Sequence, residues 1–316
     1  MAFGAARAVR HRRVPLIPAS RPNIYTGSPL DRSAQLRDRA EWIAAAHAAP
    51  NTLWVPLWGS RNLLAGYGSE RVAAILPTGT EGARLGLSYS RWAFLGLLDA
   101  TPVFAGQLDG DGEPAVDGGS FVDLRAAIGI LPAPDAAILA HARGLMHWRA
   151  RHGFCANCGQ PTEPRSAGNV TACPACGAQH FPRTDPAVIM LVTRGEQALL
   201  GHSARFPTAT MFSTLAGFVE PGESLEEAVA REVFEEAGVR VRDVTYHSSQ
   251  PWPFPASLMV GFHAEADDPT LTIDPDELTE ARWFGRAELL DPPRHGFDLP
   301  PGDSISRRLI EDWLHT

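Results

Sequence analysis

Acidic side chains are concentrated in one stretch of this sequence, residues 217–239, which reads GFVEPGESLEEAVAREVFEEAGV. Glu232 and Glu236 are four positions apart and would share one face of a helix, with Glu235 close beside them. Three carboxylates crowded on a short arc repel one another, and a bound cation would relieve that repulsion. Hard oxygen ligands suit Mg2+ or Mn2+. The stretch therefore predicts a divalent-metal site, against the alternative of a solvated acidic helix face.

A helix has to begin and end within this stretch to hold the carboxylates together. Ser224 followed by Glu227 is a capping-box pattern, so the helix should start directly after Ser224. Gly238 is placed to end it, because glycine adopts the left-handed conformation of a helix C-terminus at little cost. Arg231 could pair with Glu223 and so fix the preceding loop to the helix.

All four cysteines of the chain lie within 155–176, as two C-x-x-C pairs. A glycine follows each pair, as tight turns around a metal require. This spacing predicts a zinc ribbon in which one structural Zn2+ is held by Cys155, Cys158, Cys173 and Cys176. Four thiolates leave no open position for water, so catalysis is not expected at this metal. Disulfides, a redox-active pair and a nucleic-acid-binding ribbon are the alternatives.

A proline-rich segment, 249–257, lies ten residues after Val239 and reads SQPWPFPAS. Its three prolines stiffen the loop, which lowers the entropy cost of ordering it around a ligand. Trp252 and Phe254 offer flat faces for a base, and Gln250 and Ser257 can bond to a ribose or to ring edges. The alternative is a structural loop that packs both aromatics into the core.

The composition is that of a globular protein, with 44% hydrophobic and 20% charged residues. The net charge is −8, so a broad affinity for nucleic acid is not expected, although a local arginine patch could still hold RNA. No apolar run approaches the ~20 residues of a membrane span. The arginine-containing start has too short an apolar run for a signal peptide, so a cytoplasmic location is expected.

Apolar spacing places further elements around the acidic helix. A compact apolar run at 187–193 and a second at 197–201 predict a strand pair joined by a turn at 194–196. Further strands are expected at 52–58, 72–76, 241–248 and 258–264. Helices are expected at 134–152 and 309–314.

The spacing of 217–239 resembles the complete signature of the Nudix hydrolases, which split a nucleoside diphosphate linked to another moiety. The SQPWPFPAS loop is similar to the marker of their NADH pyrophosphatase (NudC-type) subfamily. The resemblance implies an α/β class, with a Nudix α/β/α sandwich and mixed sheet at 181–316. It places a zinc ribbon at 151–180, an α+β N-terminal domain at 21–150 and a flexible N-terminus at 1–20.

The resemblance also implies roles for individual residues. The catalytic set would be Glu223, Arg231, Glu232, Glu235 and Glu236. Two or three Mg2+ or Mn2+ ions would be held by the carbonyl of Ala216 and by Glu232, Glu235, Glu236 and Glu277. The substrate would contact Gln250, Pro251, Trp252, Pro253, Phe254, Pro255, Ala256 and Ser257, and also Phe218, Phe181, Ser306 and Arg125. A homodimer is implied, with Phe181 reaching into the partner's site.

The expected reaction is hydrolysis of the pyrophosphate in NADH or NAD+ to NMN(H) and AMP. Removal of an NAD cap from RNA 5′ ends breaks the same bond and is a close rival. Hydrolysis of ADP-ribose or another dinucleotide is an alternative, with the SQPWPFPAS loop as the evidence against it. A non-catalytic zinc-ribbon protein that binds nucleic acid and senses a nucleotide is the alternative from another class.

Overall fold

The computed structural model describes residues 22–110 and 112–316, so the segment 1–20, predicted to be flexible, lies outside the described residues. The first part of the described chain forms a six-stranded sheet with three helices. The strands are β1 Leu53–Trp58, β2 Arg61–Ala65, β3 Ala73–Ala74, β4 Tyr89–Leu98, β5 Thr101–Leu108 and β6 Gly119–Asp123. The helices are α1 Ala40–Ala48, α2 Gly79–Arg84 and α3 Ala133–Arg151.

A three-stranded sheet follows, formed by β7 Glu163–Arg165, β8 Val170–Ala172 and β9 Gln179–His180. The last part of the chain carries a second six-stranded sheet and three more helices. Its strands are β10 Asp185–Arg194, β11 Gln197–His202, β12 Leu215–Phe218, β13 Val241–Trp252, β14 Ser257–Ala266 and β15 Glu280–Gly285. Its helices are α4 Leu225–Ala237, α5 Arg286–Leu290 and α6 Ile305–Leu314.

The second large sheet has the strand order β13-β14-β10-β11-β15, and β12 also pairs with β10. It is mixed, because β10 runs parallel to β14 and antiparallel to β11 and β12. The β10 side chains alternate between its two faces, as strand geometry requires. Val188 and Met190 pack in the core that contains Val233 of α4, whereas Ile189 packs in the core that contains Leu309 of α6. This is the predicted α/β/α sandwich.

The predicted strands at 187–193, 197–201 and 258–264 are confirmed, with β10 and β14 slightly longer than expected. The predicted strand at 72–76 shrinks to two residues. β15 was not predicted, and α6 begins earlier than expected because the Ser304 side chain accepts a hydrogen bond from the Arg307 amide as an N-cap. Strand β13 continues to Trp252 and so carries the first half of the SQPWPFPAS loop into the sheet.

The two large sheets share a core at this loop. Phe254 belongs to the hydrophobic cluster that contains Leu139 and Trp148 of α3, and Trp252 packs against that cluster. Near the first of the described residues, Asn23 donates hydrogen bonds to the Ser248 hydroxyl at 3.1 Å and to the Ser249 carbonyl at 2.8 Å. The N-terminal part of the chain therefore packs against the loop and hydrogen-bonds to the strand that leads into it. No helix in the described ranges has the length and apolar character that crossing a bilayer requires.

Candidate active site

Local capping interactions fix both ends of α4, as the sequence predicts. The Ser224 hydroxyl accepts a hydrogen bond from the Glu227 amide at 3.2 Å, and the Glu227 carboxylate accepts one from the Ser224 amide at 2.8 Å. Gly238 closes the helix in the left-handed conformation, with φ of 71°. The phase of α4, and hence the direction of its glutamates, is set within this stretch of sequence.

Arg231 joins the loop before α4 to the carboxylates on it. Its guanidinium donates to both oxygens of Glu223, at 2.6 and 2.9 Å, in the bidentate geometry that suits arginine. The same group donates to Glu232 and Glu235, each at 2.9 Å, and to the Phe218 carbonyl at 2.9 Å. The predicted Arg231–Glu223 pair is confirmed. Hydrogen bonds from Arg231 hold the pKa of Glu223 down at about 2, so Glu223 stays ionised.

Glu232 lies directly against the backbone of Gly217. A Cβ atom on residue 217 would stand 1.8 Å from the Glu232 carboxyl carbon, so only glycine leaves this space. Glu236, one turn further along α4, is buried with 7% of its surface exposed. Burial raises the pKa of Glu236 to about 8, the charge of Glu232 adds to this rise, and a backbone hydrogen bond from Ala216 opposes it.

Glu277 lies on a different element, near enough to Glu236 for its charge to act on that carboxyl. The loop before it is tied to α4, because the Asp274 amide donates to the Glu236 carbonyl at 3.1 Å. The charge of Glu277 also raises the pKa of Glu236. Its own side chain is half exposed, with one oxygen 3.9 Å from Arg205. The position of Glu277 along the sequence does not indicate that it lies near Glu236. The expectation that it does comes from the family resemblance.

The donor set fits a divalent metal. The buried carboxyl of Glu236 faces the charges of Glu232 and Glu277 and is ionised only at a cost. A hard cation removes that cost, and carboxylate oxygens with a backbone carbonyl are the ligands it prefers. Arg231 already neutralises part of the charge of Glu232 and Glu235. The site therefore combines a buried carboxyl, more exposed carboxylates and a fixed counter-charge.

The SQPWPFPAS loop is held mainly by contacts with residues that are distant in the sequence. Gln250 is fully buried; its amide nitrogen donates to the Asp303 carbonyl, and its amide oxygen accepts from the Ile305 amide, both at 2.9 Å. Both polar ends of this side chain are committed to the start of α6. The expected contact of the Gln250 side chain with a ribose or ring edge is therefore replaced by a contact with the protein.

Phe254 lies between two arginines of the N-terminal part. The guanidinium carbons of Arg125 and Arg143 stand 4.8 and 4.9 Å from its ring centroid, within cation–π range. Arg143 also donates to the Pro253 carbonyl at 3.0 Å, and Arg125 to the Phe254 carbonyl at 3.4 Å. Phe254 thus packs as the structural alternative describes. Arg125, expected to contact the substrate, here contacts the loop.

A cavity of about 370 Å³ opens beside this loop. Pro251, Trp252, Pro253, Ala256 and Ser257 line it, so the structure brings five of the predicted substrate residues to one space. The opposite wall comes from the N-terminal part and from the residues after the zinc ribbon: Tyr25, Arg32, Arg37, His141 and Arg183. No motif in the sequence pointed to this wall, because its residues are far apart along the chain.

The remaining predicted substrate residues divide into exposed and buried ones. Phe181 and Phe218 are 63% and 60% exposed, large fractions for phenylalanine, and are free to stack on a ligand. Ser306 is buried on α6, where its hydroxyl accepts hydrogen bonds from the Thr214 amide at 3.2 Å and the Thr214 hydroxyl at 2.9 Å. Ser306 therefore supports the segment before β12 in this structure.

The four cysteines meet as the sequence predicts. All four Sγ atoms lie within 4.8 Å of one another, and Cys155–Cys176 and Cys158–Cys173 are 3.6 and 3.5 Å apart. A tetrahedral zinc with Zn–S bonds of about 2.3 Å separates its sulfurs by about 3.8 Å, so this spacing fits Zn2+ and is far longer than a disulfide. Hydrogen bonds from the Ala178 amide and then the Asn157 side chain lower the pKa of Cys176, whereas, against an opposing backbone bond at Gln160, hydrogen bonds with Cys173 and Cys176 raise the pKa of Cys158.

Three family models match successive parts of the chain. They are described as a NADH pyrophosphatase-like rudimentary NUDIX domain at 51–148, a NADH pyrophosphatase zinc ribbon domain at 150–181 and a NUDIX domain at 183–305. A solved NUDIX hydrolase from Nitrosomonas europaea is similar at 24% identity, with a TM-score of 0.43 over 51% of this chain and 92% of that one.

Curated relatives are similar over larger shares of the chain. The NAD-capped RNA hydrolase NudC of Stutzerimonas stutzeri (strain A1501) is 44% identical over 220 residues, which are 70% of this chain and 76% of that protein. The NAD-capped RNA hydrolase NUDT12 of Macaca fascicularis is 32% identical over 343 aligned residues, 92% of this chain and 73% of that protein. On this similarity and on the glutamate site and cysteine cluster, the chain belongs to the NudC-type family of Nudix hydrolases.

Proposed function

We propose that this protein hydrolyses the pyrophosphate of NADH or NAD+ to NMN(H) and AMP, and that it removes NAD caps from RNA 5′ ends. The observation that carries the proposal is the carboxylate site around Gly217, where Glu232 lies against the backbone and the charges of Glu232 and Glu277 act on the buried carboxyl of Glu236. Relatives named as NAD-capped RNA hydrolases support the same substrate class. In both reactions water adds to one phosphorus and the bridging oxygen leaves with the other phosphate.

The metal ligands in this proposal are Glu232, Glu235, Glu236, Glu277 and the carbonyl of Ala216. Bound Mg2+ or Mn2+, two or three ions per site, would neutralise phosphate oxygens and lower the pKa of an attacking water. One of the helix glutamates accepts the proton of that water. Arg231 and Glu223 are positioning residues, because they fix the Phe218 carbonyl and the loop against α4.

The substrate side of the proposal combines the SQPWPFPAS loop with two exposed rings. Trp252 and Ser257 line the cavity of about 370 Å³ that would receive part of the dinucleotide. Phe218 and Phe181 offer stacking faces for a base. Gln250, Phe254 and Ser306 contribute by holding the walls in place, since their side chains are buried in the protein.

The cysteine cluster is proposed to hold one structural Zn2+ per chain. Its closed set of four thiolates joins the strand leading to Phe181 to the rest of the ribbon. We further propose the domain division 21–150, 151–180 and 181–316, a homodimer and a cytoplasmic location. Elemental analysis of the purified protein tests the zinc, and size-exclusion chromatography with light scattering tests the dimer.

A product assay tests the activity. The protein is incubated with NADH, NAD+ or NAD-capped RNA and either Mg2+ or Mn2+, and the products are resolved by chromatography. We expect NMN(H) with AMP from the dinucleotides and NMN with 5′-monophosphate RNA from the capped RNA. No turnover without a divalent metal is expected. Preference for ADP-ribose over all three substrates would contradict the proposal.

A further inference from the structure

A second cavity, of about 700 Å³, lies between α1, β4 and the zinc ribbon. Four arginines line it, Arg37, Arg91, Arg149 and Arg165, against a single carboxylate, Asp38. Residues of α1, β4, α3 and the ribbon all line this cavity. For a chain with a net charge of −8, this is a strong local reversal of charge.

Three of the four arginines of this cleft are poorly neutralised by the protein. Arg37, Arg91 and Arg149 form no ion pair with any carboxylate among residues 22–110 and 112–316. The Nε atoms of Arg37 and Arg149 are buried and lack a hydrogen-bond partner. Burial and the charge of Arg91 both lower the pKa of Arg149. Burial and the charge of Arg32 lower the pKa of Arg37, and the charge of Asp38 only partly opposes them. An anion in the cleft would offset these costs.

The carboxylates near these three arginines have other partners. Asp38 accepts a hydrogen bond from the Ser166 hydroxyl at 2.6 Å, and Glu163 pairs with Arg165 at 2.8 Å. The cleft also presents aromatic surface, because His47 and Trp92 line it with ring centroids 4.7 Å apart. Cationic side chains interleaved with aromatic rings are the combination that binds single-stranded nucleic acid.

The cleft adjoins the cavity beside the SQPWPFPAS loop. Arg37 lines both spaces, and Gly168 of the cleft is followed directly by Asn169 of the loop cavity. Arg32 and Arg183 line the loop cavity as well, and no carboxylate does, although Arg183 pairs with Asp185 at 2.5 Å outside the lining. Cationic side chains therefore continue from the predicted dinucleotide loop to the ribbon cleft.

We propose that this arginine cleft binds the first nucleotides of the RNA that carries an NAD cap. The proposal rests on the function proposed above, since it places the cap at the SQPWPFPAS loop and the RNA chain in the adjoining cleft. Arginines contact the phosphates, and Trp92 and His47 offer faces to the bases. NADH has no such chain, so its hydrolysis is independent of the cleft.

The test compares two double variants that remove the same charge. Arg91→Gln/Arg165→Gln changes the cleft but not the loop cavity, and Arg194→Gln/Arg294→Gln removes two arginines that line neither space. With NAD-capped RNA of about 12 nucleotides, we expect the cleft variant to lose about tenfold in kcat/KM at low salt. Its slope of log kcat/KM against log salt should fall by about 1.4, or about 0.7 for each lost phosphate contact.

Hydrolysis of NADH is the internal control for folding and for the proposed function. Both variants should hydrolyse NADH at the wild-type rate, and the control variant should also keep its rate on capped RNA. If the wild type cleaves neither substrate, the proposed function fails. If the wild type cleaves both and the cleft variant keeps its rate and salt slope on capped RNA, the cleft assignment alone is wrong.

A binding measurement separates RNA from other anions. Fluorescence anisotropy with 5′-hydroxyl RNA, which lacks the cap, should show binding by the wild type that weakens in the cleft variant. Equal binding of polyglutamate, or binding of inorganic pyrophosphate with none of RNA, would overturn the assignment of the cleft to RNA.

Discussion

The two halves of the candidate site are built in opposite ways. In the stretch 217–239, the caps and ion pairs that orient the helix glutamates are local: Ser224 with Glu227, and Arg231 with Glu223 and Glu232. In the loop 249–257, the fixing interactions are distant, because Gln250 bonds to the start of α6 and Phe254 packs between Arg125 and Arg143.

The locally fixed stretch carries the proposed metal ligands, and the distantly fixed loop carries the proposed substrate contacts. Glutamates carried on one helix keep their relative geometry as long as that helix and its loop keep theirs, which suits metal ligands that must be held to within fractions of an ångström. The conformation of a loop that is held by distant elements depends on how the two large sheets pack against each other. Substitutions in 217–239 should therefore change turnover with little effect on stability, and substitutions under the loop should do the reverse.

Glu236→Gln should give the largest change in activity. The substitution removes the buried anionic ligand but preserves size, so the fold should persist while kcat falls by about a thousandfold or more. Steady-state hydrolysis of NADH and circular dichroism measure the two effects. Mg2+ should raise the Tm of the wild type by binding only the folded state, and this rise should be reduced in the variant.

The matched control is Glu226→Gln, which removes an exposed carboxylate from the first turn of the same helix. Its activity should stay within about twofold of the wild type, because only a weak helix-dipole interaction is lost. Undiminished turnover by Glu236→Gln would show that the glutamate cluster is not the site of the reaction.

Gly217→Ala should give the next largest loss. The new methyl group would occupy the place of the Glu232 carboxyl, which is the end of a flexible side chain and can move away. The fold should therefore tolerate the change while kcat/KM falls by about a hundredfold, since a displaced ligand costs that much. Gly302→Ala is the control, because a Cβ there meets nothing within 4 Å. Equal activity of the two variants would show that Glu232 needs no close approach to the strand.

Sequence reasoning succeeded where the determining contacts are close in sequence. The α4 caps, the Arg231–Glu223 pair and the cysteine cluster all follow from spacing, because each depends on residues within one short stretch. It did not anticipate the protein partners of Gln250 and Arg125, which lie 55 and 129 residues away. A residue type can indicate that a group binds something, but the choice between ligand and protein depends on which distant backbone groups need a partner.

Gln250→Leu should lower stability more than it lowers turnover. The substitution leaves the Ile305 amide and the Asp303 carbonyl without their side-chain partner in a fully buried place. Unsatisfied buried groups of this kind cost about 1–3 kcal/mol each, so the free energy of unfolding should fall by several kcal/mol. Urea denaturation measures it. A large rise in KM with unchanged stability would instead indicate that Gln250 contacts the ligand, as the sequence predicts.

Arg125→Met tests the same question with the smallest expected effect. If Arg125 supports Phe254, the variant loses one cation–π contact and one long hydrogen bond, which together are worth about 1 kcal/mol at this exposed position. KM for NADH should then rise by no more than about fivefold with kcat unchanged, and Arg125→Lys should restore part of it. If Arg125 contacts a phosphate, the loss in kcat/KM should be far larger and should shrink as salt screens the wild-type contact. The salt dependence of the Arg125→Met defect therefore decides whether this arginine supports the loop or binds the substrate.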